Sequence, residues 1–101
     1  MITHINGKLV ELNPAYAVIE CNGVGYMLNI SLNTYSKIGE SESCKLYTHL
    51  AVKEDSHTLY GFYEVLERKI FRMLISVSGV GASTARVILS SMQSAEIRDA
   101  I

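Results

Sequence analysis

Broad positive charge is missing from this sequence. Nine Lys and Arg residues stand against ten Asp and Glu, for a net charge of −1. Residues 1–63 carry four lysines against six acids, and residues 64–101 carry five bases against four acids. Nucleic-acid binding therefore cannot rest on bulk electrostatics; it needs local donors or several copies of a small site. Long hydrophobic runs are missing too: none approaches the roughly 18 residues of a spanning helix. Met1-Ile2-Thr3-His4 lacks the basic start and apolar stretch of a signal peptide, so the expected location is the cytoplasm, with no membrane partner. The two cysteines, Cys21 and Cys44, share no motif spacing and read as free thiols in apolar segments, not as a disulfide or metal pair.

What is present changes period near residue 63. Ile2–Leu12 holds Ile5, Leu9 and Val10, interrupted by Asn6-Gly7. Asn13-Pro14-Ala15 contains the only proline and reads as a turn. Tyr16–Cys21 is β-rich, and Asn22-Gly23 is a strong hairpin signal. Val24–Ile30 alternates, with Gly25 inside it predicting a bulge or bend. Ser31–Ile38 reads as a short helical turn, Cys44–Val52 as a long strand, Lys53-Glu54-Asp55-Ser56 as a polar turn and Thr58–Tyr63 as a last strand. Five short strands and one small helix predict a closed barrel of the oligonucleotide-binding (OB) type, with an SH3-like barrel as the alternative.

Beyond residue 63 the period is helical. Leu66, Ile70, Met73, Leu74 and Val77 form one face, with Arg68, Lys69 and Arg72 opposite. Gly79-Val80-Gly81 ends this helix, and the next has Ala85, Ile88, Leu89 and Met92 as its apolar face. Ser94 is a candidate N-cap for a third helix, with Glu96 in its first turn and Ile97 and Ile101 on its stripe. A helix that stops on Ile101 without a cap predicts a fragment of a longer protein. The expected class is α+β: an OB-like barrel over 1–63, then a helical segment over 64–101.

The stretch Ser78-Gly79-Val80-Gly81-Ala82-Ser83-Thr84-Ala85 carries the chemistry. It lacks the lysine of an NTPase phosphate loop. It also lacks the third glycine and the preceding strand of a dinucleotide fingerprint. No cofactor is expected. Helix, G-h-G turn, helix resembles instead the helix-hairpin-helix motif of DNA-binding proteins, with a plain αα-hairpin as the alternative. In the motif the glycines allow the tight turn, Val80 pins the helices together, and free N–H groups at the second helix's start face one phosphate.

Adjacent Glu54 and Asp55 point in different directions and have no third carboxylate nearby, so they make a poor metal or catalytic pair. The plain reading is a solvated turn between strands, and a further use is repulsion, with acids placed where phosphates must be kept apart. His4, His49 and His57 are scattered and read as structural or surface residues. Tyr60 and Phe62 alternate on the last strand and are expected to pack against the following helices rather than to stack bases.

Taken together, "MITHINGKLVELN", "CNGVGYMLNI", "THLAVKEDSHTLYGF", "ERKIFRMLISVSGVG" and "ARVILSSM" resemble the RuvA family of Holliday junction branch-migration proteins over essentially the whole chain. The resemblance implies a non-enzymatic subunit that binds four-way junction DNA in recombination and repair. It implies assembly as a homotetramer or octamer, and partnership with the RuvB motor ATPase through a C-terminal domain absent from this sequence. It also implies tandem helix-hairpin-helix motifs, of which this chain holds the first. Carried onto this sequence, the DNA-binding residues are Gly79, Val80, Gly81, Ala82, Ser83, Thr84 and Arg86, and the acidic pin is Glu54 and Asp55. Ser83 departs from the family, whose members often carry a lysine there, so charge at this site is reduced unless Arg86 supplies it. The alternatives are an assembly or protein-interaction module with DNA bound elsewhere, and a metal-dependent nuclease using Glu54 and Asp55.

Overall fold

A computed structural model describes residues 2–92. The third helix expected from Ser94 lies outside the described residues. Five strands come first: β1 (His4–Leu12), β2 (Tyr16–Cys21), β3 (Val24–Asn29), β4 (Ser43–Lys53) and β5 (Ser56–Phe62). Helix α1 (Leu32–Ile38) lies between β3 and β4, and α2 (Val65–Ile75) and α3 (Ala82–Ser91) follow β5. The strands close into a barrel in the order β1-β2-β3-β5-β4. Strand β1 pairs with β4 through His4–Lys8 and with β2 through Lys8–Leu12, so its two halves serve two neighbours. Parallel pairing of Asn29 with Tyr60 joins β3 to β5 and completes the ring. This is the OB-like, α+β architecture, with the small helix inserted between the third and fourth strands.

Local chemistry explains the elements. Asn22 and Gly23 take φ of 50° and 83°, the positive values of a two-residue hairpin that matches strand twist. Asn13 Oδ1 accepts from the N–H groups of Ala15 and Tyr16 at 2.8 and 2.9 Å, which fixes the β1–β2 turn. Ser31 caps α1 by accepting from the Thr34 N–H at 3.2 Å. Gly25 carries no bulge: β2 and β3 stay in register through Glu20↔Gly25. The irregularity lies instead in β1 between Leu9 and Glu11, and Val10, the extra residue, turns out to solvent.

Two apolar clusters result. Ile5, Ala17, Ile19, Leu28 and Leu46 of the strands cluster with Ile30 and with Ile38 of α1. Tyr60, Phe62, Ile70, Phe71, Ala85 and Leu89 form a second cluster between barrel and helices. Strand β5 serves both. Tyr60 and Phe62 face the helices, while Gly61 faces inward, where an added Cβ would stand 2.9 Å from Leu28 Cδ2. Phe71 is fully buried, its ring 5.3, 5.2 and 5.0 Å from those of His49, Tyr60 and Phe62. The aromatic pair on β5 thus packs against the helices, as expected.

The face of α2 differs from the periodic reading. Met73 and Val77 are half exposed, and Glu67, Ile70 and Phe71 are the buried residues. Docking of Phe71 onto the aromatic ridge of β5 turns the helix, and Val77 falls beyond its last turn. In α3, Ala85 and Leu89 carry the buried face.

Candidate nucleic-acid interface

The turn between α2 and α3 is built by backbone bonds. Ser76 Oγ donates to the Met73 carbonyl at 2.6 Å and the Val77 N–H to that of Leu74 at 3.1 Å. The Val80 N–H then donates to the Val77 carbonyl at 3.1 Å, closing a four-residue turn around Ser78 and Gly79. Gly79 has φ of 86°, whereas Ser78 is not among the residues of positive φ, the pattern of a type II turn. Val80 is half-buried and packs against the Tyr60–Phe71 cluster, joining the turn to the body of the protein.

Gly81 is the N-cap of α3, with φ −89° and ψ 172° and no side-chain cap. Its carbonyl accepts the first helical bond, from the Ala85 N–H at 2.9 Å. The N–H groups of Ala82, Ser83 and Thr84 therefore have no partner among the described residues. No acid occupies the first turn, so the positive end of the helix dipole is not offset. Ser83 and Thr84 are exposed. A Cβ on Gly81 would meet nothing within 4 Å, so packing within the chain does not demand glycine there.

Arg86 behaves differently from its neighbours. It is half-buried, and Nη1 donates to the Ile30 carbonyl at 3.0 Å, tying α3 to the barrel. Two more ties come from α1. Asn33 Nδ2 donates to the Leu89 and Met92 carbonyls at 2.5 and 2.6 Å, satisfying the C-terminus of α3. Ser90 Oγ accepts from the Leu32 N–H at 3.1 Å. On α2, the buried Glu67 carboxyl accepts from Ser31 and Thr34 hydroxyls. Burial pushes its pKa up, against the lowering effect of those two bonds. The pair Lys37–Glu64 adds an exposed clamp.

Apart from Arg86, whose tie to Ile30 the sequence does not announce, the residues of this scaffold carry no motif in the sequence. Glu67 lies three and four residues before Ile70 and Phe71, so it shares their face, and that spacing was its one available signal. Asn33 had no comparable signal.

Glu54 and Asp55 form the two-residue tip of the β4–β5 hairpin, beyond the Lys53↔Ser56 pair. Both are exposed, and neither takes positive φ. Among the described residues neither enters an ion pair, and no three His, Cys, Asp or Glu side chains gather as a metal site. The glycine turn runs directly into the first turn of α3, and among the described residues no hydrogen bond links the acidic tip to either. His49 lies elsewhere, its Nδ1 accepting from Arg72 Nε at 3.2 Å. Burial, then Arg72 and Arg68, lowers its pKa. Cys21 and Cys44 are both free.

Among the described residues no helix is long and apolar enough to cross a membrane. Residues 1–61 match the family described as RuvA N terminal domain. A protein of Christiangramia forsetii named "Holliday junction branch migration complex subunit RuvA" is 65% identical over all 101 residues, which cover 52% of its length. Proteins of the same name from Flavobacterium psychrophilum and Bacteroides thetaiotaomicron are 57% and 56% identical over the whole chain, which covers 52% and 50% of them. The chain thus spans about half the length of the curated relatives it matches. With the barrel topology, the matched residues 1–61 and identity that runs on through both helices to residue 101, the chain belongs to the RuvA family.

Proposed function

We propose that this chain is the DNA-holding part of a Holliday junction branch-migration subunit. The observation that carries the reading is the row of unpartnered N–H groups at Ala82, Ser83 and Thr84, set behind the Gly79 turn. A phosphate oxygen accepts from these amides, the Ser83 and Thr84 hydroxyls add donors, and the absent side chain of Gly81 lets the backbone approach. Arg86 adds positive charge nearby while one of its donors holds Ile30. Such contacts set position and read no bases.

One copy grips weakly, so the full-length protein gains affinity by assembling as a homotetramer, or an octamer of two such rings, on the four-way junction. The exposed apolar residues Val10 and Met27 on the barrel wall suit such assembly. Glu54 and Asp55 act as the pin: their charge repels phosphates at the crossover and parts the strands. The chain performs no catalysis of its own; a separate ATPase, RuvB, supplies the work through a region outside this sequence. The barrel occupies 1–63 and the helical unit begins at 64, and the complex works on DNA in the cytoplasm, in recombination and repair.

The test is a gel-shift comparison of four-way junction with linear duplex at stated salt, using the full-length protein. Preferential binding of the junction supports the reading. Equal binding of both, or none, overturns it.

A further inference from the structure

The chain as a whole is slightly acidic, yet one of its faces is not. Arg68, Lys69 and Arg72 line an open groove of about 430 Å³ along α2, with Val65, Met73 and Ser76 and no acidic residue. The Tyr47 ring on β4 links this groove to Lys45: the Arg68 guanidinium lies 5.5 Å from the ring centre and Lys45 Nζ 5.1 Å from it, Lys45 itself lining the neighbouring depression. The one ion pair among the described residues is Lys37–Glu64, so none of these four cations has a carboxylate partner there.

The guanidiniums are held in place. Arg68 Nη1 donates to the Thr3 carbonyl at 2.8 Å, and Arg72 Nε donates to neutral His49. Arg68 Nη2 and both Nη groups of Arg72 keep their donors free among the described residues. Burial and the nearby Arg72 push the Arg68 pKa down, a repulsion that a bound anion relieves.

We propose that this α2–β4 face is a second phosphate-backbone site, which takes duplex DNA next to the strand held at the Gly79–Thr84 turn; it rests on the junction-binding reading. Three features select this occupant. Arg68, Lys69 and Arg72 fall within about 6 Å along the helix axis, and Lys45, reached across the Tyr47 ring, extends the charge beyond what a single small anion spans. The Tyr47 ring carries two cations against it and is not free to stack a base, so the contact is with backbone and independent of sequence. The groove ends at Ser76, the C-cap of α2 and three residues before Gly79, so it leads into the proposed clamp.

The test uses the full-length protein with Lys45→Gln, Lys69→Gln and Arg72→Gln combined. Affinity for a four-way junction and for linear duplex is measured across a potassium chloride series. The expected result is a log affinity against log salt plot shallower by about 2 to 3 units, with binding weaker at least tenfold at low salt for both DNAs. An unchanged slope in a folded triple variant overturns the site while leaving the junction reading intact. No junction binding by the wild-type protein overturns both. Should the triple variant fail to fold, Lys69→Glu, at an exposed position without a hydrogen bond in the described structure, decides the matter. A slope matching wild type then sinks the proposal.

Discussion

Ser31 Oγ donates to Glu67 Oε2 at 2.5 Å, across 36 residues of sequence, and this bond joins the cap of α1 to the buried face of α2. Thr34 Oγ1 donates to the other carboxyl oxygen at 2.6 Å. Both hydroxyl oxygens already accept from backbone N–H groups, of Thr34 and Tyr63. Each hydroxyl proton therefore goes to Glu67, and the network uses both carboxyl oxygens as acceptors.

Glu67→Gln replaces one of those acceptors by a donor and leaves a hydroxyl without its partner. The expected cost is about 1–3 kcal/mol, read from denaturant unfolding.

The same variant tests the ionisation. Burial raises the native pKa of Glu67 above its ordinary 4.5. Over the interval from 4.5 to that raised value the native state holds more protons than the unfolded one, so stability falls as pH rises. Wild-type stability minus that of Glu67→Gln is thus expected to decline with pH above 4.5 and then level off. A difference that stays flat as pH rises above 4.5 contradicts the burial argument.

The glycine turn separates conformation from contact. Gly79→Ala forces a Cβ into φ of 86° and is expected to cost about 1–2 kcal/mol. Gly81→Leu keeps ordinary φ in open space, and as a poorer N-cap for α3 it is expected to cost about 1 kcal/mol while leaving the fold intact. Its side chain blocks the proposed phosphate, so junction affinity falls at least about tenfold per clamp, the equivalent of one charge-assisted hydrogen bond.

Glu54→Gln with Asp55→Gln is expected to keep or tighten junction binding and to reduce strand separation at the crossover, followed by base-analogue fluorescence. A large loss of binding contradicts the pin.

Phe71→Ala empties the centre of the second cluster. A loss of about 3–5 kcal/mol is expected, together with loosening of α2 from the barrel, visible as faster hydrogen exchange in residues 65–75.

The sequence by itself determined the strands, the hairpin at Asn22-Gly23, the acidic tip and the glycine turn. Each depends on short-range chemistry: alternation, positive φ and missing donors within a few residues. It could not determine the rotation of α2, because Phe71 and Glu67 gain their partners on β5 and α1, far off in sequence. The scaffold of Asn33, Ser31 and Arg86, and the meeting of Lys45 with Arg68 over Tyr47, were decided by tertiary structure alone. Their hydrogen bonds and ring contacts form only when the barrel brings α1 and β4 against the helices, and no local pattern encodes that approach.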